Sequence, residues 1–237
     1  MIVLSEAQVD VDVERKKPRV SVRAARPDDA HQCAPLVFAS GEREFLYFLG
    51  VTPERCIAFL EVAFRSRTGR FSWRRHRVAI DEYGAVTSVL ALHDGRSMRW
   101  DDPSLAWMLV RYFGAWRAGR MLARGLVLET ELPKPSRDQI LMAHCAVAEP
   151  IRGQGIFTAL FEQVTTSTLR AADPDRLIVL DVLVENQAAR TLYERLGFVA
   201  NVPARRPRSK RLPVSLYSIR MSRLPARVVG DHLATSY

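Results

Sequence analysis

Cysteine is scarce. The three present, Cys33, Cys56 and Cys145, lie far apart in apolar runs. That usage argues for a reducing compartment and against a metal site. No apolar run approaches the roughly 18 residues that a membrane span needs. Residues 1–12 carry acids and lack a basic region followed by a long apolar core, so a signal peptide is not expected and a cytoplasmic location is. Internal repeats and low-complexity segments are also missing. Stacking aromatics are thin where the chain is most basic: only Phe71 and Trp73 interleave the arginines of 65–77, and none interleave 203–213. That makes nucleic acid an unlikely partner.

What is present sets other bounds. The chain has 237 residues, 48% of them hydrophobic, enough for a real core in one large domain or two small ones. The net charge of +9 suits anionic partners such as coenzyme phosphates or an acidic acceptor, without choosing among them.

Read along its length, 1–18 is a loose tail or an added edge strand. Residues 20–24 alternate and predict the first strand. Pro27, followed by two acids, opens a helix that runs to about Ala39. A second helix begins near Glu42, and Pro53 starts a third. The basic run 65–77 reads as a solvated loop. Apolar segments 78–80 and 85–92 flank the turn residues 81–84 and predict a hairpin. In 103–128, Leu105, Met108, Leu109, Tyr112, Phe113 and Trp116 fall on one helical face. Gly114 and Gly119 are expected to break this segment into two helices. They would cover a sheet face, form a dimer contact, close a lid over an acceptor pocket, or lie on a membrane surface. The proline-punctuated piece 203–213 cannot be a central strand, 214–221 alternates and ends the sheet, and 225–237 is a tail.

Two stretches carry the chemistry. An apolar strand, 140–147, leads into Arg152-Gly-Gln-Gly-Ile-Phe157 and then a helix, 157–169. Gly153 and Gly155 permit a tight turn whose N–H groups meet a helix N-terminus, where the macrodipole favours an anion. Arg152 adds a fixed charge. Farther on, a strand, Asn186 as a helix cap, a short helix with Ala189 and Tyr193 on one face, and a stop at Gly197-Phe198 follow in order.

Together these stretches resemble the GCN5-related N-acetyltransferase (GNAT) family. In that family an Arg/Gln-x-x-Gly-x-Gly/Ala turn holds the pyrophosphate of acetyl-CoA, and an Asn-x-x-Ala-x-x-x-Tyr-x-x-x-Gly-Phe segment holds the pantetheine arm. Arg152, Gly155, Asn186, Ala189, Tyr193, Gly197 and Phe198 match. Phe157 departs, standing where Gly or Ala is usual, which sets its bulk against the third phosphate contact. The likeness is closest over 139–198, looser over 20–92 and poor over 96–136.

The resemblance implies an α/β fold with a mixed, mostly antiparallel sheet of about seven strands. Helices would lie on both faces, with a helical insertion, about 100–136, between strands 3 and 4, all in one domain spanning 19–224. It implies an acetyl-CoA-dependent N-acetyltransferase acting in a ternary complex on a small-molecule or peptide amine, with a homodimer left open. The coenzyme would contact Arg152, Gly153, Gln154, Gly155, Ile156 and Phe157 at the turn, Cys145, Ala146 and Val147 on the strand, and Asn186, Ala189 and Tyr193 on the following segment. Tyr193 becomes the candidate general acid. Asp181 is the candidate base; a strand acid paired with an arginine is its plainer reading. His144 is the rival base, and a buried neutral ring its plainer reading. Glu42 and Glu44 are weaker candidates for recognising an amine. No residue pattern makes Cys145 a nucleophile, and no metal is implied. A CoA-binding module without turnover is the alternative.

Overall fold

The computed structural model describes residues 20–98, 101–171, 176–201 and 211–224. The expected N-terminal tail or edge strand, most of the basic 203–213 piece and the C-terminal tail lie outside them. Seven strands form one sheet in the order β1-β2-β3-β4-β5-β7-β6. They are β1 (Ser21–Ala24), β2 (His76–Ile80), β3 (Val86–Asp94), β4 (Gln139–Val147), β5 (Leu177–Leu183), β6 (Val199–Ala200) and β7 (Ser218–Arg223). Only β4 and β5 run parallel; every other neighbouring pair is antiparallel.

Successive strand residues point to opposite faces, and the apolar pattern serves both. On β2 and β3, Val78 and Val89 pack against one helical layer: α1 (Ala30–Ala39), α2 (Glu42–Leu49), α3 (Pro53–Arg65), α4 (Asp101–Phe113) and α5 (Ala115–Glu129). Their neighbours Ala79 and Leu90 pack against α6 (Ile156–Ala171) and α7 (Gln187–Arg195) on the other side. Burying both faces accounts for the near-continuous apolar runs in the central strands.

The insertion between β3 and β4 is a helical hairpin. Gly114, at φ 84°, makes the break. Gly119 does not: it lies inside α5, where an added Cβ would meet nothing. One glycine with positive φ is enough to turn the chain, and the second is tolerated within a helix whose other side is packed. Leu105, Leu109, Phe113, Ala118 and Met121 join the core of α1–α3. The hairpin therefore packs on the α1–α3 layer.

The basic run 65–77 is not a solvated loop. Phe71, Ser72 and His76 are buried, and Arg75 pairs at 3.0 Å with Asp101, whose side chain is 5% exposed. Arg70 pairs with Asp102 at 2.6 Å. Acids at the start of α4, themselves favoured by the positive end of that helix, draw these arginines inward.

Candidate active site

Two features of β4 build the site. The first is a gap. β4 and β5 pair only over Gln139–Leu141 and Leu177–Val179; beyond that the strands part. Buried Arg176 pins the closed end, bonding both oxygens of Asp94 at 2.8 Å and the carbonyl of Gln139 at 2.7 Å. Past the last pair, Ala146 and Val147 bond to β3 alone, through the pairs Val89↔Ala146 and Ser88↔Val147. The Ser88 hydroxyl donates to the Ala146 carbonyl at 2.8 Å.

The second is a bulge. The β3–β4 register slips between Val89↔Ala146 and Ala91↔Ala143, and His144 sits there at φ 54°, the one described non-glycine residue with positive φ. Such a bulge re-aims a side chain. Met142, Cys145 and Val147 all pack with α6 and α7. Strict alternation from Met142 would send residue 144 to that same face. The extra residue turns His144 to the opposite one, where its ring lies 6.2 Å from Phe45 and 5.3 Å from Phe71.

On that face His144 meets two further imidazoles. His76 Nδ1 lies 2.8 Å from the carbonyl of Ser72. A carbonyl only accepts, so His76 carries its proton on Nδ1 and presents a bare Nε2. That nitrogen lies 3.0 Å from His144 Nδ1, which must donate. His144 is thereby left with Nε2 unprotonated. His93 stands edge-on to His144, ring centres 5.7 Å apart. Burial, more than any neighbouring charge, lowers the pKa of all three rings: His76 to about 4, His93 and His144 well below the usual imidazole range. All three are neutral at pH 7.

His144 also lines a cavity of about 410 Å³ between β4 and the α2, α4 and α5 helices, within the span of about 300–1,000 Å³ typical of small-molecule sites. Asp181 reaches the same cavity but is held by Arg220 in a two-point ion pair, 2.9 and 2.6 Å, with both side chains largely buried. Arg220 also donates to the Pro133 carbonyl, and Glu131 accepts from the Ser218 amide at 2.9 Å. The end of the hairpin is thus tied to β7. Glu44 lines the cavity, whereas Glu42 is exposed.

Tyr193 approaches β4 from the other side. It is buried on α7, 6.3 Å from the Phe157 ring and 6.0 Å from that of Phe198, in the same apolar cluster as Cys145. Burial raises both groups, the tyrosine well above its ordinary value and the thiol to about 12. Asn186 caps α7, its side chain accepting from the Ala189 amide at 3.1 Å.

The turn before α6 is open. Gly153 and Gly155 have φ of 77° and 79°, and a Cβ on either would meet nothing within 4 Å. The first helical bond runs from Ala159 N to Gly155 O at 3.1 Å; among the described residues, the N–H groups of 153–158 find no acceptor in the chain. Arg152 is exposed beside them. The Phe157 ring is buried against Tyr193, away from the turn. Its backbone N–H is left available, and the bulk that the sequence sets against a phosphate contact lies in the core.

Sequence reasoning missed His76, His93, Arg220 and the cluster of Arg70, Asp102, Glu129 and Lys134. His76 and His93 could have been found: each keeps step with a core valine on its strand, Val78 and Val89, two or four residues away. Among the described residues no group of His, Cys, Asp or Glu is arranged to hold a metal ion, and no helix is long and apolar enough to cross a membrane.

Comparison with known proteins fits this geometry. Residues 84–198 match the acetyltransferase (GNAT) family. No curated protein matches the chain. Among solved structures, one described only as an acetyltransferase superposes with a TM-score of 0.60 at 20% identity, covering 86% of this chain and 99% of its own. An N-acetyltransferase from Staphylococcus aureus Mu50 gives 0.60 at 19%, covering 85% and 99%. A Corynebacterium glutamicum protein, histone acetyltransferase HPA2 and related acetyltransferase, gives 0.53 at 19%, covering 87% and 97%. These likenesses show the fold.

Proposed function

Residues 84–198 belong to the acetyltransferase (GNAT) family, and from that premise we propose that the chain moves an acetyl group from acetyl-CoA to a primary amine by direct transfer. The observation that carries the reading is the meeting of the two faces. β4 and β5 are unpaired beyond Leu141 and Val179; Tyr193 packs on one face of the sheet and His144 lines the cavity on the other.

The residues fit the coenzyme. The open N–H groups of 153–158 and Arg152 would hold its diphosphate. The unpaired edge of Cys145–Val147, with Asn186 and Ala189, would flank its arm. When bound, acetyl-CoA supplies the activated acyl group. Once an ammonium acceptor has released one proton to solvent and freed its lone pair, the chain must take one further proton from the attacking nitrogen as the C–N bond forms, and give one to sulfur as the C–S bond breaks. His144 Nε2 takes the first; Tyr193 Oη gives the second. Asp181 is engaged by Arg220 and so shapes the cavity rather than moving a proton. The thiol of Cys145, raised to about 12, stays protonated and is no nucleophile, which favours a ternary complex over an acyl-enzyme.

Titration calorimetry with CoA, followed by thiol release from acetyl-CoA over a panel of primary amines, tests the reading. Acceptor-dependent release supports it. Tight CoA binding without release across the panel favours the module that binds and does not turn over. At the turn, Gly155→Ala is expected to weaken CoA binding about tenfold. The φ of 79° costs an L-residue about 1–2 kcal/mol, and the strained turn would misplace its N–H groups. An unchanged dissociation constant in calorimetry would remove the turn from the binding site.

A further inference from the structure

The acceptor cavity has a charge ledger that does not close. Its lining carries four acids, Glu44, Asp102, Glu129 and Asp181, and two bases, Arg70 and Lys134. Arg70 and Lys134 pair with Asp102 and Glu129 as a cluster, the longest contact being 3.8 Å. Asp181 is neutralised by Arg220. Glu44 remains. Among the described residues no cation pairs with it, and its buried Oε2 has no hydrogen-bond partner. The adjacent cation, Arg43, is turned away to Glu185 and the Ser215 carbonyl. Loss of solvent raises the Glu44 pKa by more than its own backbone amide and Arg43 lower it. The rest of the wall is apolar: Phe45, Phe48, Phe71, Leu105, Leu126 and Leu141 lie in it.

We infer that the acceptor is a hydrophobic primary amine bearing a single positive charge, which Glu44 meets as the molecule enters the cavity. This rests on the acetyl-transfer reading above and narrows it. The overall charge of +9 had suited an acidic acceptor. The cavity reverses that expectation, because an acid would face Glu44 unpaired and a polyamine would bring charges that the apolar wall cannot answer. A charge-assisted contact to one carboxylate, with apolar burial of the remainder, suits an alkyl or arylalkyl amine.

The test compares hexylamine and phenethylamine with spermidine and with a short peptide bearing a free N-terminus, each with acetyl-CoA, by thiol release. The expected kcat/KM for the two hydrophobic amines exceeds that for spermidine and the peptide by at least about tenfold. In Glu44→Gln, KM for hexylamine rises about tenfold while kcat stays within about twofold, with CoA affinity unchanged. As a check that needs no variant, hexylamine in the absence of acetyl-CoA should bind the wild-type protein at least about tenfold more tightly than hexan-1-ol. Preference for spermidine or the peptide, an unmoved KM in Glu44→Gln, or equal binding of amine and alcohol overturns the inference while leaving acetyl transfer standing. No thiol release with any amine sinks the acetyl-transfer reading and this inference with it.

Discussion

His144→Asn is expected to lower kcat about a hundred- to a thousandfold, within the span general-base catalysis supplies, and to leave CoA affinity unchanged. Asparagine is the informative replacement because φ is 54° at this position, and asparagine tolerates the left-handed region better than most residues. Loss of rate then reports loss of the imidazole rather than a broken bulge. The pH profile gives a second reading. In the proposed mechanism neutral His144 is the active form, and enclosure and its neighbours hold its pKa well below the usual imidazole range. Activity in the wild-type protein should therefore persist through pH 6.5 and fall only at lower pH, as protons reach Nε2. The variant should lack that acid limb. Stopped-flow thiol release between about pH 4 and 9 measures both. A kcat within about threefold of wild type, or an acid limb that disappears in Asp181→Asn and survives in His144→Asn, would return the base to Asp181.

Tyr193→Phe should lower kcat about a hundredfold and shift the CoA dissociation constant by less than about threefold. The phenyl ring keeps the packing against Phe157 and Phe198 and removes only the hydroxyl. Burial keeps that hydroxyl protonated well above its ordinary value, so no basic limb from this group should enter the profile below pH 10. Equal losses in rate and in binding, or a comparable drop in melting temperature, would make Tyr193 a packing residue.

Much of the architecture was legible because it rests on local rules. The cap at Asn186, the stop at Gly197 and the positive-φ glycines of the turn before α6 are each specified by residue type and spacing. The strand parities of His76 and His93 were equally available and went unread. Other features are written only in long-range pairing. The pattern around His144 points the wrong way, since its parity assigns it to the α6 face. Only the register slip against β3 reverses it, and a slip has no signature in one strand alone. The pairing of Asp181 with Arg220 joins residues 39 apart in sequence, directly opposite each other across β5 and β7. The inward turn of Arg70 and Arg75 depended on acids beyond position 100. A basic run read by itself looks like a solvated loop.

The hairpin between β3 and β4 has one further consequence. Asp102, Leu105, Leu122, Leu126 and Glu129, all on its two helices, furnish much of the acceptor wall, while the turn at 153–158, Asn186 and Tyr193 belong to other parts of the chain. On the proposed reading, much of the acceptor wall and the turn that would hold the donor lie in separate stretches of sequence, with β4 shared between them. On that reading, substitutions in the hairpin would retune the acceptor and leave the residues proposed to hold the thioester untouched.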